Sequence, residues 1–334
     1  MTPREPPPTA RANGEPAAPS VADVAGPALA AEVGRALVTN LETVLRGKAA
    51  AVRLAVAAVL SGGHLLLEDV PGQGKTLLAK AIARSIGGAF HRVQGTADVL
   101  PSELTGVSVF QPATGAWEFR PGPLFANVVL VDDLNRATPR AQSALLEAME
   151  ERQITVDGRT YRLPDPYLVI ATQNPLDHAG TFPLVEGQRD RFTLVLELGH
   201  PGPEAERELL LGVGGMEGLV RLQPVVEPAA LAAAIAGVRQ VHVAEAVADH
   251  VVAIGAATRA HPLVTLGQSP RASLSLLHAA QAWAVLKGRS FVTPDDVREL
   301  APAALAHRLR TGGDLAATTA IVHEVLARVP VPQG

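Results

Sequence analysis

The segment Asp69-Val70-Pro71-Gly72-Gln73-Gly74-Lys75-Thr76 carries the residue types that hold a polyphosphate. Gly72 and Gly74 let backbone N–H groups turn inward around phosphate oxygens. Lys75 reaches the β- and γ-phosphates, the Thr76 hydroxyl is a ligand for Mg²⁺, and a helix starting here adds its dipole. Pro71, Gln73 and Leu77 complete the expected nucleotide-binding stretch. The regular pattern has glycine where Asp69 stands, and an acid there gives phosphate no obvious help. Further along, Val128-Val129-Leu130-Val131-Asp132-Asp133 is an apolar run that ends in two carboxylates. Asp132 is expected to hold Mg²⁺ through water, and Asp133 to polarise the attacking water. Asn174, in Ala171-Thr172-Gln173-Asn174-Pro175, could place an amide between those acids and the γ-phosphate, although Asn-Pro after a strand also reads as a simple turn. Arg191 and Arg271 are two basic candidates. An arginine beside a transferring phosphoryl group neutralises developing charge, and each reads equally as a surface ion pair.

These side chains need a scaffold, and the pattern around them is an alternation of strand and helix. His64–Glu68, Val128–Val131, Tyr167–Thr172 and Phe192–Leu198 read as buried strands. Gly74–Ile86 reads as a helix with Leu77, Leu78, Ala81, Ile82 and Ser85 on one face. Thr138–Glu151 reads as another, capped by Thr138 with Pro139 in its first turn. Strands separated by helices predict a parallel sheet with helices on both faces. Leu29–Leu45 and the stretch up to Leu60 read as two earlier helices broken at Arg46-Gly47-Lys48. Val107–Phe119 predicts two short strands about Pro112-Ala113-Thr114-Gly115, and Gln153–Leu163 a hairpin turning at Asp157-Gly158. After Gly199 the strands stop. Gly212 to Pro228 reads as a linker, and Val243–Ala260, Pro270–Lys287, Thr293–Arg310 and Leu315–Arg328 read as helices of a small bundle. The expected division is a Pro/Ala-rich disordered tail over 1–26, an α/β nucleotide-binding domain over 27–212, and a linker with an all-α lid over 213–334.

Composition narrows the classes. The 334 residues include no cysteine, which excludes a disulfide framework, a thiolate metal site and a thiol nucleophile, and fits a reducing, cytoplasmic setting. A net charge of −4 argues against general affinity for duplex nucleic acid, and 3% aromatic residues leave little for a base-stacking platform. No apolar run approaches the roughly 18 residues of a membrane span.

The order of P-loop, acid pair, Asn, Arg and a later helical Arg resembles an AAA+ ATPase. Longer strings resemble the MoxR family: Leu100-Pro101-Ser102-Glu103-Leu104-Thr105-Gly106, Phe119-Arg120-Pro121-Gly122-Pro123-Leu124-Phe125-Ala126-Asn127, Ser143–Arg152, Ala171–Pro175 and, among the later helices, Ala301–Arg308. The resemblance covers roughly residues 30–333. It implies ATP and Mg²⁺ as cofactors, and a homo-oligomer, usually a hexamer. It also implies a chaperone-like action on partners that carry von Willebrand factor A domains. It makes Asn174 the sensor 1 residue, Arg191 an arginine finger acting on a neighbour's nucleotide, and Arg271 sensor 2, reaching the nucleotide from the lid. Gly47 falls where the adenine-side loop begins. Val107–Phe119 corresponds to the helix-2 insert and Gln153–Leu163 to the hairpin before sensor 1, both facing a central pore.

Three positions depart from the family pattern. Asp69 replaces a glycine. Gly187-Gln188-Arg189 replaces the usual Ala-Gln-Leu before the finger, leaving open whether Arg189 shares the finger's role. Asp133 stands where the family has Glu and is one methylene shorter, so ATP binding with slow hydrolysis is expected. Rival readings are an ATP-gated switch with little turnover, a small-molecule phosphotransferase and a DNA motor. The paired arginines disfavour the second and the charge balance the third.

Overall fold

The computed structural model describes residues 26–175 and 180–332. The proposed tail, except for Gly26, lies outside them. Two helices, α1 (Pro27–Glu42) and α2 (Ala49–Leu60), precede the alternating region. That region runs β1 (Leu65–Glu68), α3 (Lys75–Ile86), β2 (Phe90–Gln94), α4 (Pro101–Thr105), β3 (Gly106–Gln111), β4 (Ala116–Pro121), β5 (Val128–Asp132), α5 (Pro139–Glu151), β6 (Gln153–Val156), β7 (Arg159–Arg162), β8 (Leu168–Gln173), α6 (Glu186–Arg189) and β9 (Leu194–Leu196). Seven helices follow: α7 (Pro203–Leu210), α8 (Gly215–Arg221), α9 (Pro228–Val238), α10 (Glu245–Ala260), α11 (Pro270–Leu286), α12 (Pro294–Leu305) and α13 (Leu315–Arg328).

Five strands form one parallel sheet in the order β2-β5-β8-β1-β9. Its three central strands are buried on both faces, which is why they read as continuous apolar runs. The two-residue period divides them cleanly. Leu65, Leu67, Val128, Leu130, Leu168 and Ile170 enter one core, while Leu66, Val129, Val131, Val169 and Ala171 enter the other. The second core is closed by α4 and α5 through Leu104, Ala141, Leu145 and Met149. The first is closed by α1, α2 and α3, and it continues without a break into α9–α13 through Leu231, Ile254, Leu276, Ala280, Leu300 and Val322. The late helices are thus packed on α1 and α2 and share their interior.

The antiparallel pairs β3–β4 and β6–β7 stand outside the sheet, at the two segments where short strands are expected. Two differences from expectation have local causes. Strand β2 is a half-exposed edge with Phe90 and Val93 as its only large apolar residues, so it carries little strand signal. The 212–228 stretch is not merely a linker. It holds α8, obscured by Gly212, Gly214 and Gly215, all at positive φ.

Candidate functional site

The turn after β1 is shaped by Gly72 and Gly74, at φ 88° and 95°, a left-handed conformation that a side chain would strain. Gly74 caps α3, so the helix N-terminus opens onto the same space. A cavity of about 630 Å³ lies here. Its walls include every residue from Pro71 to Leu77, then Asp132, Asp133 and Asn174, so the structure brings together three separate motif-bearing segments. Leu45, Pro201, Leu209 and Met216 add apolar side chains to the lining, of the kind that suits a base.

Lys75 Nζ donates to the carbonyls of Asp69 and, at 3.1 Å, Val70. The Thr76 hydroxyl donates to Asp132 Oδ1 at 3.3 Å, and Thr172 Oγ1 donates to the same oxygen at 3.3 Å. Thr172 Oγ1 also accepts from the Asp133 N–H at 3.0 Å. A hydroxyl and a carboxylate beside backbone N–H groups form an oxygen set that suits a hard dication such as Mg²⁺, with water and phosphate supplying its other ligands. Among the described residues no cluster of three or more His, Asp or Glu could hold a metal by itself.

Asp69, where glycine is usual, is accounted for. Its Oδ1 accepts from Val70 N–H, and its Oδ2 accepts from the N–H groups of Leu198 and Gly199, all at 2.8 Å. The carboxylate ties the phosphate loop to the chain leaving β9 and is no part of the cavity wall. Lys48 Nζ donates to the carbonyls of the same two residues, at 3.0 Å for Leu198, and burial lowers its pKa. Gly47 does not line the cavity, although Arg46 and Lys48 do. Its φ of 71° and its closeness to α7, where an added Cβ would lie 2.6 Å from Ala205 Cβ, explain the residue. Arg46 Nε bonds Glu208 Oε2 at 2.7 Å and holds α7 beside the cavity.

One basic residue is placed differently from expectation. Arg271 does not reach the cavity of its own chain. It opens α11, whose packing against α2 and α12 carries its first turn to the end of α5. There Arg271 donates to Glu150 Oε1, and Arg191 Nη2 donates to Glu150 Oε2 at 2.5 Å. One carboxylate thus clasps both arginines outside the cavity. Glu150 sits in the last turn of α5, where the helix dipole disfavours an anion. The Arg271 hydrogen bond, helped by Arg191, holds its carboxyl below the usual range. The helices from α9 onward contribute nothing to the cavity wall; on that side it is lined by Leu209 of α7 and by Gly215 and Met216 of α8.

Arg189 is not a second outward arginine. Its Nη2 lies 2.9 Å from Glu68 Oε1, at the end of β1, and the same oxygen accepts from Gln173. Burial raises the Glu68 pKa, an effect opposed by Arg189 and Gln173. Asp190 pairs with the buried Arg308 at 2.9 Å, and Arg308 Nη2 also donates to the Phe192 carbonyl at 2.8 Å. The segment bearing Arg191 is therefore tied on one side to β1 and β8, and on the other to the turn after α12.

Several cavity residues carried no motif. Arg92 and Gln94 come from β2 and Arg136 from the turn after Asp133. The available signal for the first two was their two-residue spacing, which puts both on one strand face.

The profile of the "ATPase family associated with various cellular activities (AAA)" matches residues 64–194, and that of the "AAA lid domain" matches residues 256–325. Bacillus subtilis YeaC is 44% identical over 88% of this chain and 93% of its own. Chaperone MoxR1 of Mycobacterium tuberculosis is 38% identical over 91% of this chain and 84% of its own. A crystal structure from Cytophaga hutchinsonii superposes with a TM-score of 0.82 at 32% identity, covering 91% of this chain and 96% of that one.

Proposed function

The chain belongs to the MoxR family of AAA+ ATPases, and we propose that it binds and hydrolyses Mg-ATP in the cavity about Pro71–Leu77, as a homo-oligomer acting on a partner protein. The observation that carries this reading is the division of the machinery. Phosphate loop, acids and amide share one cavity, while Arg191 and Arg271 are held together on Glu150 outside it. In this reading the backbone N–H groups at Gly72–Thr76 and Lys75 hold the phosphates, and Leu45 and Met216 flank the base. Thr76 and Asp132 hold Mg²⁺, which when bound offsets the phosphate charge. Asp133 orients the attacking water and Asn174 fixes it against the γ-phosphate. Arg191 and Arg271 of a neighbouring chain complete the site by stabilising charge on the transferred group. Turnover then requires assembly, and a hexameric ring is the assembly proposed. Loss of the γ-phosphate loosens the clasped pair, and the chains move relative to one another. The name of Chaperone MoxR1 supports a chaperone-like role, and a von Willebrand factor A domain protein is the proposed partner class.

A second reading, an ATP-gated switch with little turnover, is favoured by the short side chain of Asp133. One experiment tests the trans arrangement. Lys75→Ala should abolish nucleotide binding by calorimetry, and Arg191→Ala should bind but not turn over. Mixed, they should recover activity, because some interfaces then pair an intact cavity with an intact Arg191. Unchanged affinity in Lys75→Ala, or no recovery on mixing, would count against the proposal.

A further inference from the structure

Asp132 is shared between two cationic demands. Its Oδ1 faces the hydroxyls of Thr76 and Thr172. Its Oδ2 accepts from Arg92 Nε at 2.6 Å. The acid is buried, at 8% exposure, whereas the arginine is 48% exposed. An ion pair with one partner so open contributes little to stability, so the fold alone gives weak reason for Arg92. Strand β2 is anchored instead by its ladder to β5 and by Val93 and Phe90. Arg92 also lines the cavity, as does Gln94 on the same face, which donates to Asp133 Oδ2 at 3.0 Å. The other cations in its wall are Arg46 and Lys48, engaged by Glu208 and by the carbonyls of Leu198 and Gly199, Lys75 on the phosphate loop, and Arg136, 3.9 Å from Asp133.

We propose that Arg92 sets how strongly nucleotide binding depends on the divalent cation, by competing with the metal for Asp132 and serving the phosphates when the metal is absent. The inference rests on the Mg-ATP reading above. A dication held at Asp132 and a guanidinium on the same carboxylate repel each other, so each weakens the other's hold. A metal-free polyphosphate keeps its full negative charge, and Arg92 is then a charge-assisted donor within the same cavity. Arg92 therefore favours metal-free nucleotide and opposes metal, narrowing the gap between the two affinities.

The test measures the dissociation constant of ATP in EDTA and in saturating Mg²⁺, by calorimetry, for wild type, Arg92→Ala and Arg92→Lys. In Arg92→Ala, metal-free ATP should weaken about tenfold, equivalent to about 1.4 kcal/mol. Mg-ATP should hold or tighten, so the ratio of the two constants should rise about tenfold. At fixed ATP the half-saturating Mg²⁺ concentration should fall. Arg92→Lys keeps the charge and should stay within about threefold of wild type, on the same scale. A merely structural role would move both constants together, and an unchanged ratio overturns the proposal while leaving Mg-ATP binding intact. A lysine variant as displaced as the alanine variant overturns the charge argument. Wild type that binds neither form overturns the parent reading and this inference with it.

Discussion

Asp133→Glu should raise turnover, and the structure fixes the expected size. Asp133 follows the last residue of β5 with φ 53° and ψ 51°. Its N–H is bonded to Thr172 Oγ1 at 3.0 Å. Gly95 presses on the same turn: its N–H donates to the Asp132 carbonyl at 2.6 Å, and a Cβ there would lie 2.2 Å from the Asp133 carbonyl oxygen. A turn pinned on both sides cannot advance to make up for a short side chain. Glutamate extends the carboxylate by about 1.5 Å, one carbon–carbon bond. A misplacement of about 1 Å costs on the order of 100-fold in rate, so kcat should rise about 10- to 100-fold. The substitution also has a cost, because aspartate tolerates the left-handed region better than glutamate. That difference is about 1 kcal/mol, or a Tm lower by about 2 °C in a chain of this size. The assay is phosphate release at saturating Mg-ATP, with nucleotide affinity measured separately. A kcat that stays within about threefold of wild type, or falls, with binding intact would refute the reach argument. Brisk hydrolysis by the wild type would remove the switch reading.

Glu150→Gln should free both arginines together. We expect kcat to drop about tenfold or more with affinity unchanged, and Tm to move by no more than about 2 °C, since partly exposed ion pairs contribute about 1 kcal/mol or less. Because the Glu150 pKa is lowered in the fold, its contribution is present above the unfolded value and is lost as pH falls through the folded one. The stability gap between wild type and variant should therefore hold above the ordinary carboxyl value of 4.5 and close only as pH falls below it; a gap that closes near neutrality would be against it. His64 gives a pH dependence of the same sign in a higher window. Its Nδ1 accepts from Val169 N–H at 3.0 Å, and its Nε2 donates to the Met149 carbonyl at 3.2 Å, which fixes a neutral ring. Burial, with Arg152 nearby, pulls its pKa down to about 4. The unfolded chain takes up a proton below about pH 6.5, so stability should drain by up to about 3 kcal/mol between pH 6.5 and 4. Urea unfolding at pH 7 and 5 checks this, and His64→Gln should show a flatter profile; an equal slope in the variant removes His64 as the cause.

What could be read from the chain was local or periodic. The phosphate loop, the acid pair and the capped helix after Thr138 depend on residues within one turn or strand, and they fold where their pattern says. Strand β2 escaped because an edge needs only two apolar side chains. Helix α8 escaped because three glycines in four residues read as punctuation. Asp69 looked like a defect because its partners, the amides of Leu198 and Gly199, lie more than a hundred residues away. The position of Arg271 is likewise decided by helix docking: nothing in Ser269-Pro270-Arg271 says that α11 starts beside Glu150. Arg92 carried the weakest signal of all, a single charge on a polar strand, and its meaning exists only beside Asp132.

The continuous core beneath α1, α2 and the late helices bears on how separable the two halves are. Chain order suggests a nucleotide module with a detachable cap. The interior says otherwise, since Ala55, Val56 and Leu60 of α2 and Ala279, Ala280 and Trp283 of α11 belong to one apolar cluster. A chain ended after β9 would bare that whole side of α1 and α2 to water, and a fragment beginning at α9 would lose the wall it is built against. Close-packed interiors transmit displacement rather than absorb it. The late helices are therefore better described as the keel of the nucleotide-binding half than as a flap hinged upon it.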